Sequence, residues 1–532
     1  DYVVRFVTPL VRVDRSGGKR DEFFTESAFR AWLAQRPTGE RRSVQYLKGL
    51  GSSTAADAKR YFSDWEGHVR QLRYTGETCR SELDIVFGSN PQVRKTWIEE
   101  NADSDGVDYV CRDPIPYHEF LRKDVVLFSI DANSRSIAAV DGLKPGKRKA
   151  LWYLMTHPQA QPMPVAQLAG KIGADMAYHH GEASMQGSLA QMAQTHVGTN
   201  NLALLEPHGI FGSRAASRTV HAAPRYIKTR IDTHLASKVF PKADAHLLEL
   251  TQDEGRDVEP VLLEGVIPMI LVNGSSGVGH GWSSTVPRYN PLHVIACVRA
   301  ELHGQAHPMT LDPWYRGFKG PVEEKAPGKY ALAGCLQWTG NDLRITEIPP
   351  DKWTDDVCAD LQKRCPGFVI ENRCSDGDVD ILIKDARTAL SKHAELSAPG
   401  LLKELGLVTS LSISNMFVTI GGSLKKYATV SEIIGDFVTH RLPVYERRRN
   451  AEIDKAAQRQ AELGDRAKVL DALISGRLPL SKAEVTRDSS KRRRVPLTED
   501  EVVEATRELE LTAPSDVGWI FALTVRDQTT EK

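Results

Sequence analysis

An arginine and a tyrosine stand side by side in Ala222-Ala223-Pro224-Arg225-Tyr226-Ile227, and their side chains suit one kind of chemistry. A phenol ionises near pH ~10 and is a poor nucleophile at neutral pH, so attack on a phosphodiester needs a neighbour that stabilises the charge developing on phosphate oxygens. Arg225 can do so, because a guanidinium presents two parallel N–H donors in a planar fork that a lysine lacks. Pro224 restricts the backbone just before the pair. Arginine–tyrosine pairs are commonplace, so the meaning of this one rests on the segments around it.

Those segments come in a definite order. Upstream lie Tyr46-Leu47-Lys48-Gly49-Leu50-Gly51-Ser52-Ser53-Thr54 and Ala58-Lys59-Arg60-Tyr61-Phe62. Then come Val140-Asp141-Gly142-Leu143-Lys144-Pro145-Gly146-Lys147-Arg148-Lys149, Ala177-Tyr178-His179-His180-Gly181-Glu182, Val197-Gly198-Thr199-Asn200-Asn201 and Phe211-Gly212-Ser213-Arg214. After the tyrosine follows Asn273-Gly274-Ser275-Ser276-Gly277-Val278-Gly279-His280-Gly281-Trp282. The series resembles the breakage and reunion core of type IIA DNA topoisomerases, the family of eukaryotic topoisomerase II and DNA gyrase, over nearly all 532 residues. In the bacterial enzymes the Lys-Gly-Leu-Gly segment and the tyrosine sit on separate polypeptides. Here one chain carries both, which resembles the fused eukaryotic or large-virus branch.

The resemblance implies an α+β multidomain fold: the C-terminal part of a TOPRIM domain over 1–90, a linker over 91–125, a winged-helix domain over 126–290, an α/β tower over 291–430, a coiled-coil arm over 431–475 and an exit-gate region over 476–532. It implies that Tyr226 is the nucleophile and that Arg225 and His180 stabilise the transition state. Lys48, Lys144, Lys147, Arg148, Lys149, His179, Arg214 and Lys228 would meet DNA, and Val278 would wedge between base pairs and bend the duplex. The product would be a 5′-phosphotyrosine and a free 3′-hydroxyl on each strand of double-stranded DNA, cut by a homodimer. Mg²⁺ would assist, held by carboxylates expected before Asp1, with no metal ligand on this chain. ATP would bind only a domain of the full-length enzyme. The chain is expected to lack that ATPase domain and the returning arm of the coiled coil, and the branch implies a nucleus or a viral factory. Two positions depart from the family pattern: Lys147 replaces a glutamine of Asp-Gly-Leu-Lys-Pro-x-Gln-Arg, and Ile210 replaces a glutamine before Phe211.

Other patterns are decoys or alternatives. The glycines at 274, 277, 279 and 281 do not make G-x-G-x-x-G, because Trp282 holds the third glycine's place, and no phosphate-loop motif occurs. Asp103-Ser104-Asp105-Gly106 and Asp376-Gly377-Asp378 imitate metal loops but read as solvated turns. Lys491-Arg492-Arg493-Arg494 reads as a polar loop. Lysine plus arginine equals aspartate plus glutamate at 69 each, so a DNA-binding surface must come from local clustering. Seven cysteines without a Cys-x-x-Cys pair indicate neither zinc nor a disulfide framework, and the longest apolar stretch, Val266 to Val272, is too short for a membrane span. A non-catalytic DNA-binding fragment and one half of a split enzyme, needing a separate metal-binding partner, remain the other readings.

The elements that must hold these residues follow from periodicity. Tyr2 to Val13 reads as a strand and Glu26 to Gln35 as a helix. Val165 opens one helix, and Gly181 to Val197 makes a second, with Met185, Leu189, Met192 and Val197 on its core side. Lys329–Leu332, Asp342–Pro349 and Val379–Ile383 alternate as strands do. A last helix runs from about Val430 to Ser475, broken at Pro443, with a loose apolar seam of Ala451, Ile453, Ala457, Ala461, Leu463, Val469, Leu470 and Leu473.

Overall fold

The computed structural model describes residues 2–15, 19–35, 42–109, 113–364, 366–375, 377–389, 397–421, 423–477, 481–485 and 492–496. Two compact units divide the chain, residues 1–441 and 442–532.

The first unit begins with strands Val3–Phe6 and Val11–Arg15, where a single strand was expected; Pro9 lies between them and cannot donate to a ladder. The first strand pairs with Val69–Arg73, the second with Arg20–Phe23 and Arg42–Tyr46. The helix Glu26–Ala34 is capped by Thr25 and buries Phe29. The Lys-Gly-Leu-Gly segment leaves Tyr46 through a tight 3₁₀ turn, Gly49–Ser52, into the helix Ala55–Ser63. Thr54 and Asp57 close a reciprocal cap at that helix start. Buried Arg12 grips the same Asp57 with both terminal nitrogens, at 2.8 and 3.1 Å. The Thr54 hydroxyl and amide, together with Arg12, hold Asp57 well below the usual carboxylate range against the opposing effect of burial.

Residues 91–125, expected as a linker, are largely helical and packed. Pro91–Glu100 is a helix with Trp97 and Ile98 buried, and from Tyr117 the chain coils through a π-helical turn, Leu121–Val125, into the helix Val126–Ser136. Val86, Trp97, Ile98, Leu121, Val126, Ile137, Trp282 and Phe417 form one core there. Buried Glu82 ties it together, accepting from the Trp97 indole at 2.7 Å and from Arg122 at 2.6 and 3.0 Å. The apolar content of this stretch is what a solvated connector lacks.

The largest core surrounds the helices Pro145–Thr156, Val165–Asp175 and Glu182–Ala193. Met185, Leu189 and Met192 face inward as the sequence predicts, but the helix ends at Ala193 instead of Val197, where Gln194 turns extended and its amide donates to the carbonyls of Phe211 and Arg218. A small antiparallel sheet of order Met163–Pro164, Lys228–Ile231, Leu205–His208 flanks the helices. Helices and sheet share this one core.

Beyond residue 320 a three-stranded sheet and a four-stranded antiparallel sheet follow. The strands Lys329–Ala333, Asp342–Glu347 and Ile381–Lys384 match the predicted ones to within two residues. The four-stranded sheet is closed by Val357 and Leu361 of Thr354–Arg364 and by Leu401 and Leu405.

The helix Val430–Ile474 runs on through Pro443. Proline removes one backbone donor, to the carbonyl four residues earlier, and both Pro443 and Thr439 are exposed, so water can take the freed carbonyl. In the second unit, Arg492–Pro496 is a strand paired with Ser481–Val485, which corrects the expected polar loop. The exit-gate region otherwise lies outside the described residues, as do Lys491 and Asp376.

Candidate DNA cleavage site

The tyrosine turn is fastened to the helix beside it. Pro224 to Tyr226 form a turn in which the Tyr226 amide donates to the Ala223 carbonyl at 2.9 Å. The amides of Val165 and Ala166, at the start of a helix, donate to the carbonyls of Ile227 and Pro224 at 3.0 and 3.1 Å. Ile227 is buried in the main core, and Lys228 enters the sheet immediately after it. Backbone and core thus fix the turn while its side chains stay free. Tyr226 is 74% exposed on this well held backbone. Arg225 is exposed too, and among the described residues neither side chain has a hydrogen-bond or ion-pair partner.

The remaining predicted residues divide into four groups. His180 is exposed, edge-on to Tyr178 at 5.2 Å, and Lys228 also projects to solvent. Val278 is 78% exposed at the end of a hairpin, Ser275–Val278 against Ser283–Val286, whose glycines press on the helix Val126–Ser136. A Cβ on Gly277 would lie 1.9 Å from the Ser136 carbonyl, and one on Gly279 would lie 2.1 Å from the Asn133 side-chain oxygen. Next to them His280 meets the Ser129 hydroxyl at 2.6 Å. The hairpin is a stiff mount that pushes one aliphatic side chain outward.

A second group is held by protein acids. Lys48 Nζ lies 2.8 Å from His179 Nδ1 and 2.7 Å from Glu254, while His179 Nε2 meets both Asp253 oxygens at 2.9 and 3.0 Å. Asp253 and Glu254 belong to a hairpin tip, where Glu254 adopts a positive φ of 51° beside Gly255. Neither acid stood out in sequence; their one signal was an acidic pair before a turn glycine. The trio His179, Asp253 and Glu254 has metal-ligand spacing. It does not fit Mg²⁺, which demands oxygen ligands in octahedral array, because one donor is an imidazole and the Lys48 ammonium already occupies Glu254.

The third group points inward and corrects the expectation of DNA contact. Arg148 is buried against Asp141, at 2.7 and 3.1 Å. Lys149 reaches Glu259 at 2.6 Å and the Met176 carbonyl at 2.9 Å. Arg214, 6% exposed, pairs with Glu347 at 2.5 Å and donates to the Ile348 carbonyl. Each guanidinium or ammonium is spent on a buried acid, which an unpaired interior charge would require.

Lys144 and Lys147 line a cavity together with Arg218 and Arg288. Neither of those arginines stood out in sequence, although Arg288 lies in Pro287-Arg288-Tyr289, a second copy of the tyrosine tripeptide.

Comparisons with known proteins agree with this geometry. Residues 135–494 match the family of the DNA gyrase and topoisomerase IV A subunits, and residues 6–133 match the C-terminal associated domain of TOPRIM. DNA topoisomerase 2 of the yeast Meyerozyma guilliermondii is 32% identical over 491 residues, 90% of this chain and 35% of the relative. Human DNA topoisomerase 2-alpha is 33% identical over 502 residues, 90% of this chain and 32% of the relative. The chain thus spans about a third of the length of these relatives. The structure of the Plasmodium falciparum topoisomerase II DNA-binding, cleavage and re-ligation domain superposes with a TM-score of 0.81 at 30% identity, covering 99% of this chain and 74% of that one. A free tyrosine on a braced turn, helices and a small sheet that hold it, and a family match over most of the sequence lead to one conclusion: this chain belongs to the type IIA DNA topoisomerases, the family that holds DNA gyrase, topoisomerase IV and eukaryotic topoisomerase II.

Proposed function

We propose that the chain is the DNA breakage–reunion core of a type II topoisomerase, with Tyr226 as the nucleophile. The observation that carries this reading is the contrast at the turn, where the backbone is fixed on both sides while the phenol and guanidinium are exposed and have no partner among the described residues. A fixed nucleophile keeps its orientation when substrate arrives, which is where most of the gain from intramolecular positioning lies. In the reaction the Tyr226 oxygen bonds to phosphorus, the bond from phosphorus to the 3′ oxygen breaks, the phenol gives up its proton to solvent and the departing oxygen takes one up. The strand is left as a 5′-phosphotyrosine and a 3′-hydroxyl. Resealing is the reverse. Arg225 binds the phosphate oxygens through this change, and His180 shares the developing negative charge.

Lys228 and Lys144 face the duplex backbone, and Val278 enters the stack, as its stiff mount supports. Mg²⁺ would be held by carboxylates other than Asp253 and Glu254, and when bound would polarise the phosphate. Two copies acting together would cut both strands so that a second duplex can pass, with ATP used by the larger protein. Residence in the nucleus goes with this reading.

Supercoiled plasmid incubated with the protein and Mg²⁺, then quenched with detergent, should yield DNA covalently linked to protein at its 5′ ends. Tyr226→Phe should yield none. Linked DNA at equal levels in wild type and variant would remove Tyr226 from the chemistry, and none from either would defeat the reading for this chain.

A further inference from the structure

A cavity of about 650 Å³ opens between the start of the helix Pro145–Thr156, the end of the helix Glu182–Ala193 and the segments carrying Arg218, Arg288 and Tyr315. Its charge is lopsided. Lys144, Lys147, Arg218 and Arg288 line it against one carboxylate, Asp351. That carboxylate lies 3.6 Å from Arg218, which also donates to the Gly198 carbonyl. Lys144 donates to the Ser276 carbonyl at 2.9 Å, a neutral partner. Lys147 has no hydrogen-bond or ion-pair partner among the described residues. Arg288 packs its guanidinium 5.4 Å from the Tyr315 ring centre and leaves its buried Nε without an acceptor. An orphaned buried donor on a polar cavity points to an absent acceptor, and the sign of the wall makes that acceptor an anion.

We propose that this cavity is a phosphate pocket in which Lys147, the residue that replaces the family's glutamine, supplies a contact of its own and sets how tightly the phosphate is held. The proposal deepens the DNA reading above and rests on it for the source of the phosphate, a duplex backbone; a free polyphosphate shares the chemistry. The charges facing Lys147 are Lys144 from the residue before its helix, Arg218, Arg288 and, across the cavity, Asp351. Tyr315 stays a phenol, pushed up to about 12 chiefly by burial, and His196 near Arg218 stays neutral, brought down to about 4 by burial and the two arginines Arg218 and Arg214. Arg148, the next residue on the helix, is neutralised by Asp141. Burial first, then repulsion from Lys144, Arg218 and Arg288, brings the Lys147 ammonium down to about 8. An anion in the pocket reverses that repulsion and draws a proton onto Lys147. Binding therefore weakens as pH rises through about 8.

The test measures binding of a fluorescent duplex and of inorganic tripolyphosphate at pH 7 and pH 9 over a salt series, with Lys147→Gln and Lys147→Arg beside the wild type. Wild type should lose up to about tenfold in affinity between the two pH values, the expectation when a bound ligand restores an ordinary lysine pKa. Lys147→Gln should bind weakly at both pH values, with its duplex salt slope shallower by about 0.9, the equivalent of one phosphate contact. Lys147→Arg should bind tightly at both. A melting curve at pH 7 checks the fold: an ammonium held below its unfolded pKa destabilises the folded chain below that pKa, so Lys147→Gln should melt no lower than wild type. Dependence on Lys147 for the duplex alone assigns the pocket to the DNA backbone, and dependence for tripolyphosphate alone assigns it to a free anion. Identical pH and salt behaviour of all three proteins toward both ligands overturns the proposal. None of these readings requires a strand to be cut, so failure of the cleavage test leaves them standing.

Discussion

Pro-Arg-Tyr occurs twice in this chain, at 224–226 and at 287–289, and the two copies meet opposite fates. Tyr226 projects into solvent, while Tyr289 is fully buried with its hydroxyl unpaired and held well above the ordinary phenol range by burial. The tripeptide therefore carries no chemistry by itself; the ordered motifs around the first copy made it readable. Arginines and lysines show the same limit. Arg148, Lys149 and Arg214 sit in motifs that suggest DNA, yet their acidic partners Asp141, Glu259 and Glu347 come from local and distant positions alike, and no spacing rule links Arg214 to Glu347. This gives a test of role. Arg214→Ala should destabilise the fold by about 3–5 kcal/mol, because Glu347 is left as a buried, uncompensated charge, and should leave the salt slope of DNA binding unchanged. Denaturant unfolding and a salt titration read the two effects separately; a shallower slope with unchanged stability would restore Arg214 as a DNA contact.

Elements were legible where periodicity was strong. The helix Glu182–Ala193 and the strands Lys329–Ala333 and Asp342–Glu347 follow their apolar spacing, since each buries one face. Boundaries and breaks were less so, because Gln194, Pro9 and Pro443 act through partners or solvent that a local pattern does not contain. The hairpin that presents Val278 shows how tertiary contact decides an element's stiffness. Its glycines fail the nucleotide-loop pattern in sequence, whereas in the fold Gly277 and Gly279 are points of close contact with the helix Val126–Ser136. Gly277→Ala should therefore cost about 3 kcal/mol, the upper end for overpacking, as the helix carbonyl must move aside. Thermal or denaturant unfolding checks this, and an unaltered melting temperature would mean that the hairpin is free to shift.

The whole molecule balances its charge to zero and still separates it in space. Cations gather in the cavity and at the tyrosine turn, and acids such as Asp141, Glu82 and Glu347 are kept inside as partners for buried cations and donors. The helix Val430–Ile474 also leaves Ile453, Leu463 and Ile474 more than half exposed, the kind of surface that a second copy covers. Light scattering should give twice the chain mass of 59.0 kDa at micromolar concentration; a single-chain mass would show that these residues remain wet.

The Lys48–Glu254 pair has a further effect on how such a protein meets DNA. A lysine that reaches for phosphate normally sets a condensed sodium ion free, and that release drives binding. Lys48 must first abandon Glu254, which then recruits a cation from the medium. The carboxylate acts as a built-in counterion, so a contact made by Lys48 is nearly an exchange of one ion for another, felt in which surface Lys48 touches more than in the ionic strength at which DNA is held.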